Sequence, residues 1–243
     1  MNQTFTDALL GLEPIKTWSL IVTMFGDLRG DAMTGKQLRA LLEPLGVKPE
    51  ATRVALHRLK NDGWISATKT GREVTYSLSQ FGKEQTNAVS PDIYRQSVKY
   101  PDGWSVLVTD DNAIDNGVPE PYIKIGRNIA VLPTASKTGP KASITVAMPN
   151  ADAPVWLQNR IVEQAILDLA LGLAPLAEIA QSQIHKISVL DRIILLHHWR
   201  KMALRPHCWA HIDLVPNGPI AKCHQHVTQI LADTDQLDLA ADR

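Results

Sequence analysis

The sequence predicts an α+β chain with helices towards both ends and short strands between them. Three observations carry this. Apolar residues recur at helical spacing from about residue 14 to residue 61, short alternating segments follow as far as Met148, and helical spacing returns from about Pro154. At 243 residues and 44% hydrophobic content, the chain can bury the cores of two or three compact units.

Trp18, Ile21, Val22, Phe25 and Leu28 share one helical face, so a helix is expected from about Pro14 to Leu28. Pro14 suits a first turn, and Gly30 follows as a stop signal. Thr34-Gly35-Lys36-Gln37 has the form of a capping box. Leu38, Leu41, Leu42 and Leu45 follow it at helical intervals, and Gly46 stands where a left-handed cap is needed. After Val47 and Lys48, Pro49 opens a third helical pattern that runs to about Asn61. Its apolar stripe is Thr52, Ala55, Leu56 and Leu59. Glu50, Arg53, His57 and Asn61 lie opposite, with Arg58 and Lys60 on the flanks. Two helices joined by so short a turn form a helix-turn-helix, whose second helix is the one that enters a major groove.

Asp62-Gly63 and Thr70-Gly71 are turns that bracket Trp64 to Lys69. Val74, Tyr76 and Leu78 alternate with polar residues, and Ile65 and Ala67 can face them across a hairpin. A helix-turn-helix followed directly by a hairpin is the winged-helix pattern. Further on, Trp104 to Val108 reads as a buried strand, and 122–125, 128–133 and 143–148 are strand candidates separated by turn-rich stretches. From Pro154 the pattern is helical, with a break near Gly172 and Pro175 and then a long segment to Leu204.

The chemistry of the first eighty residues points to double-stranded DNA. Arg53 carries a planar fork that can bond a guanine edge or a phosphate, and His57 lies one turn further along. Lys36, Lys60, Lys69 and Arg72 are point charges suited to phosphates, the last two flanking the hairpin tip. Arg58 suits either a DNA contact or a brace to a carboxylate. From Leu12 to Lys83 there are 11 basic and 7 acidic residues, so this segment is positive within a chain of zero net charge. The other reading of the same residues is a solvated face, or a winged helix that binds protein as a scaffold.

Several classes are set aside. No secretory leader and no apolar run of about 18 residues is apparent. Cys208 and Cys223 alone make no disulfide framework, so a cytoplasmic protein is expected. His197, His198, His207, His211, His224 and His226 gather near those cysteines, but no metal-ligand spacing emerges and no metal or cofactor is expected. There is no phosphate loop, HExxH or nucleophile elbow. Asp110, Asp111 and Asp115 are the only carboxylates that suggest a nuclease, and the chain is expected not to be an enzyme.

Three ordered blocks then resemble the PaaX-like regulators, the family of phenylacetic-acid degradation repressors. They are Ser19-Leu20-Ile21-Val22-Thr23 with Gly26-Asp27, then Arg53 to Leu59 with Asp62-Gly63-Trp64, then Gly71-Arg72 with Tyr76-Ser77-Leu78-Ser79 and Gly82. The resemblance implies a winged helix over residues 12–90, a small α/β ferredoxin-like middle domain over 91–152 and a helical effector or dimerisation domain over 153–243. It also implies a homodimeric repressor of a phenylacetate-type catabolic operon, released from DNA by an aryl-coenzyme A effector. Arg192, Trp199, Arg200 and Arg205 are the candidate effector residues on that basis. Leu190 to Lys201 resembles the family's C-terminal helix, and the chain departs from the family after it, with Arg205-Pro206, Val215-Pro216 and Asn217-Gly218 where Asp-Pro, Leu-Pro and Trp-Pro-Gly are usual.

Overall fold

The computed structural model describes residues 4–29, 32–97, 99–110, 114, 121–136, 143–148 and 153–239. Its architecture is α+β, with small sheets and a large share of helix. A short helix, α1 (Phe5–Leu10), is closed by a Thr4/Asp7 capping box. Helix α2 (Thr17–Asp27) starts three residues later than Pro14, because Lys16 has extended backbone and takes the cap position. Strands β1 (Leu28–Arg29) and β2 (Ala32–Thr34) follow.

The capping box at Thr34 forms, with Gln37 N donating to Thr34 Oγ1 and Thr34 N donating to Gln37 Oε1. It starts α3 (Gly35–Leu42). The helix tightens into a 3-10 turn over Glu43–Leu45, where Pro44 has no N–H to give. Gly46 then reverses the chain at φ 75°, a conformation that a side chain would strain. Helix α4 (Pro49–Asn61) buries Thr52, Ala55, Leu56 and Leu59 and packs on α2.

Strands β3 (Ile65–Thr70) and β4 (Glu73–Leu78) form the expected hairpin, with Ile65 opposite Leu78 and Lys69 opposite Val74. The short β2 adds to the other side of β4, giving a three-stranded antiparallel sheet in the order β2-β4-β3. Helix α5 (Gln80–Ile93) leaves the sheet with Ser79 as its cap. Gly82 sits so close to the hairpin that a Cβ there would stand 2.2 Å from the Trp64 carbonyl oxygen.

The middle strands are β5 (Trp104–Val108), β6 (Ile123–Lys124), β7 (Ile129–Pro133) and β8 (Ile144–Ala147). They pair antiparallel in the order β6-β7-β5-β8. The remainder is helical: α6 (Val155–Ile161), α7 (Gln164–Ser182), α8 (Val189–Ala203), α9 (Cys208–Leu214) and α10 (Pro219–Asp233). Helix α7 runs through Gly172 and Pro175, where the sequence suggests a break. The break falls instead at Gln183–Ser188, where a 3-10 turn and a new Ser188/Asp191 capping box intervene. By length and composition α7 could cross a bilayer; in this structure it packs against α10 and buries Ile166, Leu169, Ala170 and Leu173 on one face.

The two ends of the chain are fastened together. Strand β9 (Leu237–Asp238) pairs in parallel with β1, and both α1 and α2 pack on α8. The core is one contiguous cluster that includes Leu20, Ile21, Met24 and Leu38 from the first eighty residues and Ile193, Leu196, Trp199 and Met202 from α8.

Candidate nucleic-acid interface

A groove of about 940 Å³ opens between α3, α4 and the β3–β4 hairpin. The helical spacing of α4 explains its wall. The stripe on α2 holds one face of the helix, so Arg53, His57 and Lys60 are turned outward and are exposed. Lys36 comes from the first turn of α3 and Arg72 from the hairpin, both exposed and both lining the same groove. Five of the six residues expected to contact DNA are thereby brought together. Lys69 stands exposed near the hairpin tip, outside the groove.

The groove is electropositive. Lys36, Arg39, Arg53, Lys60 and Arg72 line it against only Glu50 and Glu73. Arg53 makes no hydrogen bond or ion pair with any described residue, and His57 Nδ1 lies 3.3 Å from Asn61 Nδ2. Arg58 behaves as a brace: its Nε is 3.4 Å from Asp62 Oδ2, and its guanidinium stacks 5.1 Å from the Trp18 ring centre.

Two residues escape the sequence reading. Arg39 joins the groove from the second turn of α3. Val54 is 63% exposed on the outer face of α4 beside Arg53, an unusual place for a β-branched apolar residue. Its signal in the sequence is a valine off the 52-55-56-59 stripe.

The N-terminal segment has known relatives. Residues 16–82 match the sequence profile described as PaaX-like protein. This stretch is similar to a PaaX-like domain. The transcriptional repressor PaaX of Escherichia coli (strain K12) is 35% identical over 111 residues, which cover 44% of this chain and 35% of that protein. The chain thus aligns with only about a third of its curated relative. An uncharacterized Mycobacterium tuberculosis protein of known structure superposes over 88% of this chain and 94% of its own, with 13% identity and a TM-score of 0.41, a likeness too loose to establish a shared fold. The matched segment contains all six DNA candidates, from Lys36 to Arg72.

The four candidate effector residues lie outside that segment and are not brought together. Arg192 is buried: Nε and Nη2 donate to Asp27 at 2.9 and 2.7 Å, and Nη1 donates to the Leu231 carbonyl at 3.0 Å and to Thr234 Oγ1 at 2.6 Å. Trp199 is also buried, with Nε1 donating to the Ile93 carbonyl at 2.7 Å. Both side chains hold the fold in this conformation. Arg205 is on the surface, and Arg200 lines a separate cavity.

Among the described residues, no three His, Cys, Asp or Glu side chains are grouped as metal ligands would be. Burial pushes the thiols of Cys208 and Cys223 up to about 12. Asp110 is exposed at the end of the first middle strand, while Asp111 and Asp115 lie outside the described residues.

The buried titrating groups predict acid sensitivity. Burial holds His197 down to about 3 and His211 down to about 4. The unfolded chain therefore takes up these protons near 6.5, well before the folded chain does, and stability falls as pH drops through that window. Glu13 adds to this lower down, between 4.5 and about 2, because His198 foremost and then Lys201 favour its carboxylate. Asp213, raised to about 6 by burial, acts in the opposite direction between 6 and 3.8. The two histidines outweigh it, so the urea midpoint is expected to be lower at about pH 5 than at about pH 7.5. His197→Gln should flatten the profile. A midpoint that holds or rises on acidification would refute the assignment.

Proposed function

We propose that this chain is a DNA-binding transcriptional regulator whose residues 12–90 form a winged helix-turn-helix, with α4 as the helix that enters the major groove. The observation that carries this reading is the electropositive groove between α3, α4 and the hairpin, with Arg53, Val54 and His57 on one outward face. Element order supports it too, since β2, the strand just before α3, pairs with β4, the returning strand of the hairpin. Arg53 is matched to a guanine edge, Val54 to a thymine methyl group, and Lys36, Lys60, Lys69 and Arg72 to phosphates.

The similarity to a transcriptional repressor favours repression and a chain without enzymatic activity. We extend this to a cytoplasmic homodimer on an inverted repeat, its half-sites one helical turn or a multiple apart. Residues 91–152 fit a ferredoxin-like middle domain, because taking the four strands in chain order as 1 to 4 gives the sheet order 4-1-3-2. Residues 153–243 form the helical effector or dimerisation domain. Release by an aryl-coenzyme A, from a phenylacetate-type operon, is the physiological setting the resemblance suggests.

Binding to genomic fragments that include the protein's own promoter tests the reading. Affinity should fall steeply with salt, as expected when several cations displace counterions from phosphates. Lys69→Ala should weaken binding to all sequences alike and lower the salt slope by about one. If no fragment is retarded at low salt, the chain is not a DNA-binding regulator.

A further inference from the structure

Two carboxylates line the electropositive groove, Glu50 and Glu73, and Glu50 does so from the N-terminal end of α4. That is the end of a recognition helix whose residues meet base edges. Glu50 is exposed in the first turn and lines the groove together with Arg53 and His57. The three follow at i, i+3 and i+7, so they form one outward stripe along the helix. Burial of Thr52, Ala55, Leu56 and Leu59 fixes the direction of that stripe.

Glu50 is not occupied by a neighbour. The acids around it are: Glu43 Oε1 lies 4.0 Å from Arg39 Nε, and Asp62 Oδ2 lies 3.4 Å from Arg58 Nε. Glu50 makes no hydrogen bond or ion pair with any described residue, although Arg53 stands one turn along the same stripe. A carboxylate among phosphates is repelled unless a donor meets it. Base edges in the major groove differ in what they offer. Cytosine presents its N4 amine, a donor with no acceptor beside it, whereas adenine sets N7 next to its N6 amine. Guanine shows two acceptors, and thymine an acceptor and a methyl group. An ionised carboxylate can only accept. Cytosine is therefore the base that satisfies Glu50 without opposing it.

We propose that Glu50 is a specificity-determining residue, its carboxylate accepting from the N4 amine of a cytosine in the bound site and repelling guanine and thymine there. The inference rests on α4 entering the major groove. It adds a base that Arg53 does not read and a second means of choice, exclusion of wrong bases alongside attraction to the right one. A first-turn acid also favours the positive end of a helix, but that role is indifferent to base identity. The readout is therefore the base.

Selection of bound duplexes from a randomised DNA library by the full chain tests this, repeated with Glu50→Ala, Glu50→Gln and, as a charge-matched control on β4, Glu73→Ala. The wild-type motif should hold a cytosine that Glu50→Ala relaxes while every other position is kept. Glu50→Gln should move that position from cytosine to adenine, whose N6 and N7 a glutamine amide matches. Anisotropy on the selected duplex and on its cytosine-to-guanine variant should show a preference of about tenfold in the wild type, falling to about twofold or less in Glu50→Ala. Glu73→Ala should tighten binding to all duplexes a few-fold and leave the motif intact. If Glu50→Ala likewise tightens every duplex and leaves the motif unchanged, Glu50 is only a repelling charge, and the proposal fails while DNA binding through α4 stands. A motif without a cytosine that answers to Glu50 would overturn it too. If the library yields no bound duplex, the DNA-binding reading fails first and takes this inference with it.

Discussion

Replacing Asp27 by alanine is expected to destabilise the protein by about 3–5 kcal/mol, the cost of leaving one partner of a buried ion pair alone. Asp27 is inaccessible to solvent, and the Arg192 side chain is only 2% exposed. Four donors converge on this carboxylate: Arg192 Nε and Nη2, the Tyr94 hydroxyl at 3.2 Å and the Leu237 amide at 3.2 Å. They come from α8, from the residue that caps α5 and from β9, so one side chain at the end of α2 ties the N-terminal segment to the C-terminal helices. Losing it strands a guanidinium in the core and removes the anchor of the β1–β9 pair.

The double replacement Asp27→Leu with Arg192→Met should cost far less than Asp27→Ala, because no charge is then left without a partner. Urea unfolding of the two singles and the double measures the coupling directly. A loss of less than about 1 kcal/mol in Asp27→Ala would mean that the pair is solvated and holds nothing together.

This pair also shows where sequence reading stops. Local signals were legible: the Thr34/Gln37 capping box, the left-handed Gly46, the hairpin register around Gly71 and the apolar stripe of α4 all depend on neighbours within a few residues. So did the outward face carrying Arg53 and His57, since one buried stripe fixes the opposite side of a helix. Contacts across 165 residues leave no such trace. An arginine in α8 looks the same in sequence whether it meets a ligand or a buried aspartate, so the Arg192–Asp27 pair cannot be read from spacing. Arg200 neighbours Trp199 and Arg192 along α8, yet most of its cavity neighbours come from α2 and α5. The parallel pairing of β1 with β9 was equally invisible, because two-residue strands carry no alternation to read.

Arg53→Ala is expected to weaken binding to the specific operator by about tenfold to a hundredfold, or roughly 1–3 kcal/mol, the discrimination a good bidentate base contact supplies. Arg53 is exposed on α4 and makes no hydrogen bond or ion pair with a described residue, so its fork is free to meet a base edge at little cost to the fold. The effect should fall mainly on sequence preference. Arg53→Lys keeps the charge but loses the fork, so it should restore non-specific affinity and the salt slope while leaving the preference impaired. Val54→Ala should cost less and act only where a thymine methyl faces it. The variants would be compared by anisotropy on the operator and on scrambled DNA at several salt concentrations. If Arg53→Ala lowers affinity equally for both DNAs, Arg53 bonds phosphate, and specificity must come from Glu50, His57, Val54 or the shape of the DNA. The electropositive groove would then serve attachment, with sequence read only at its rim.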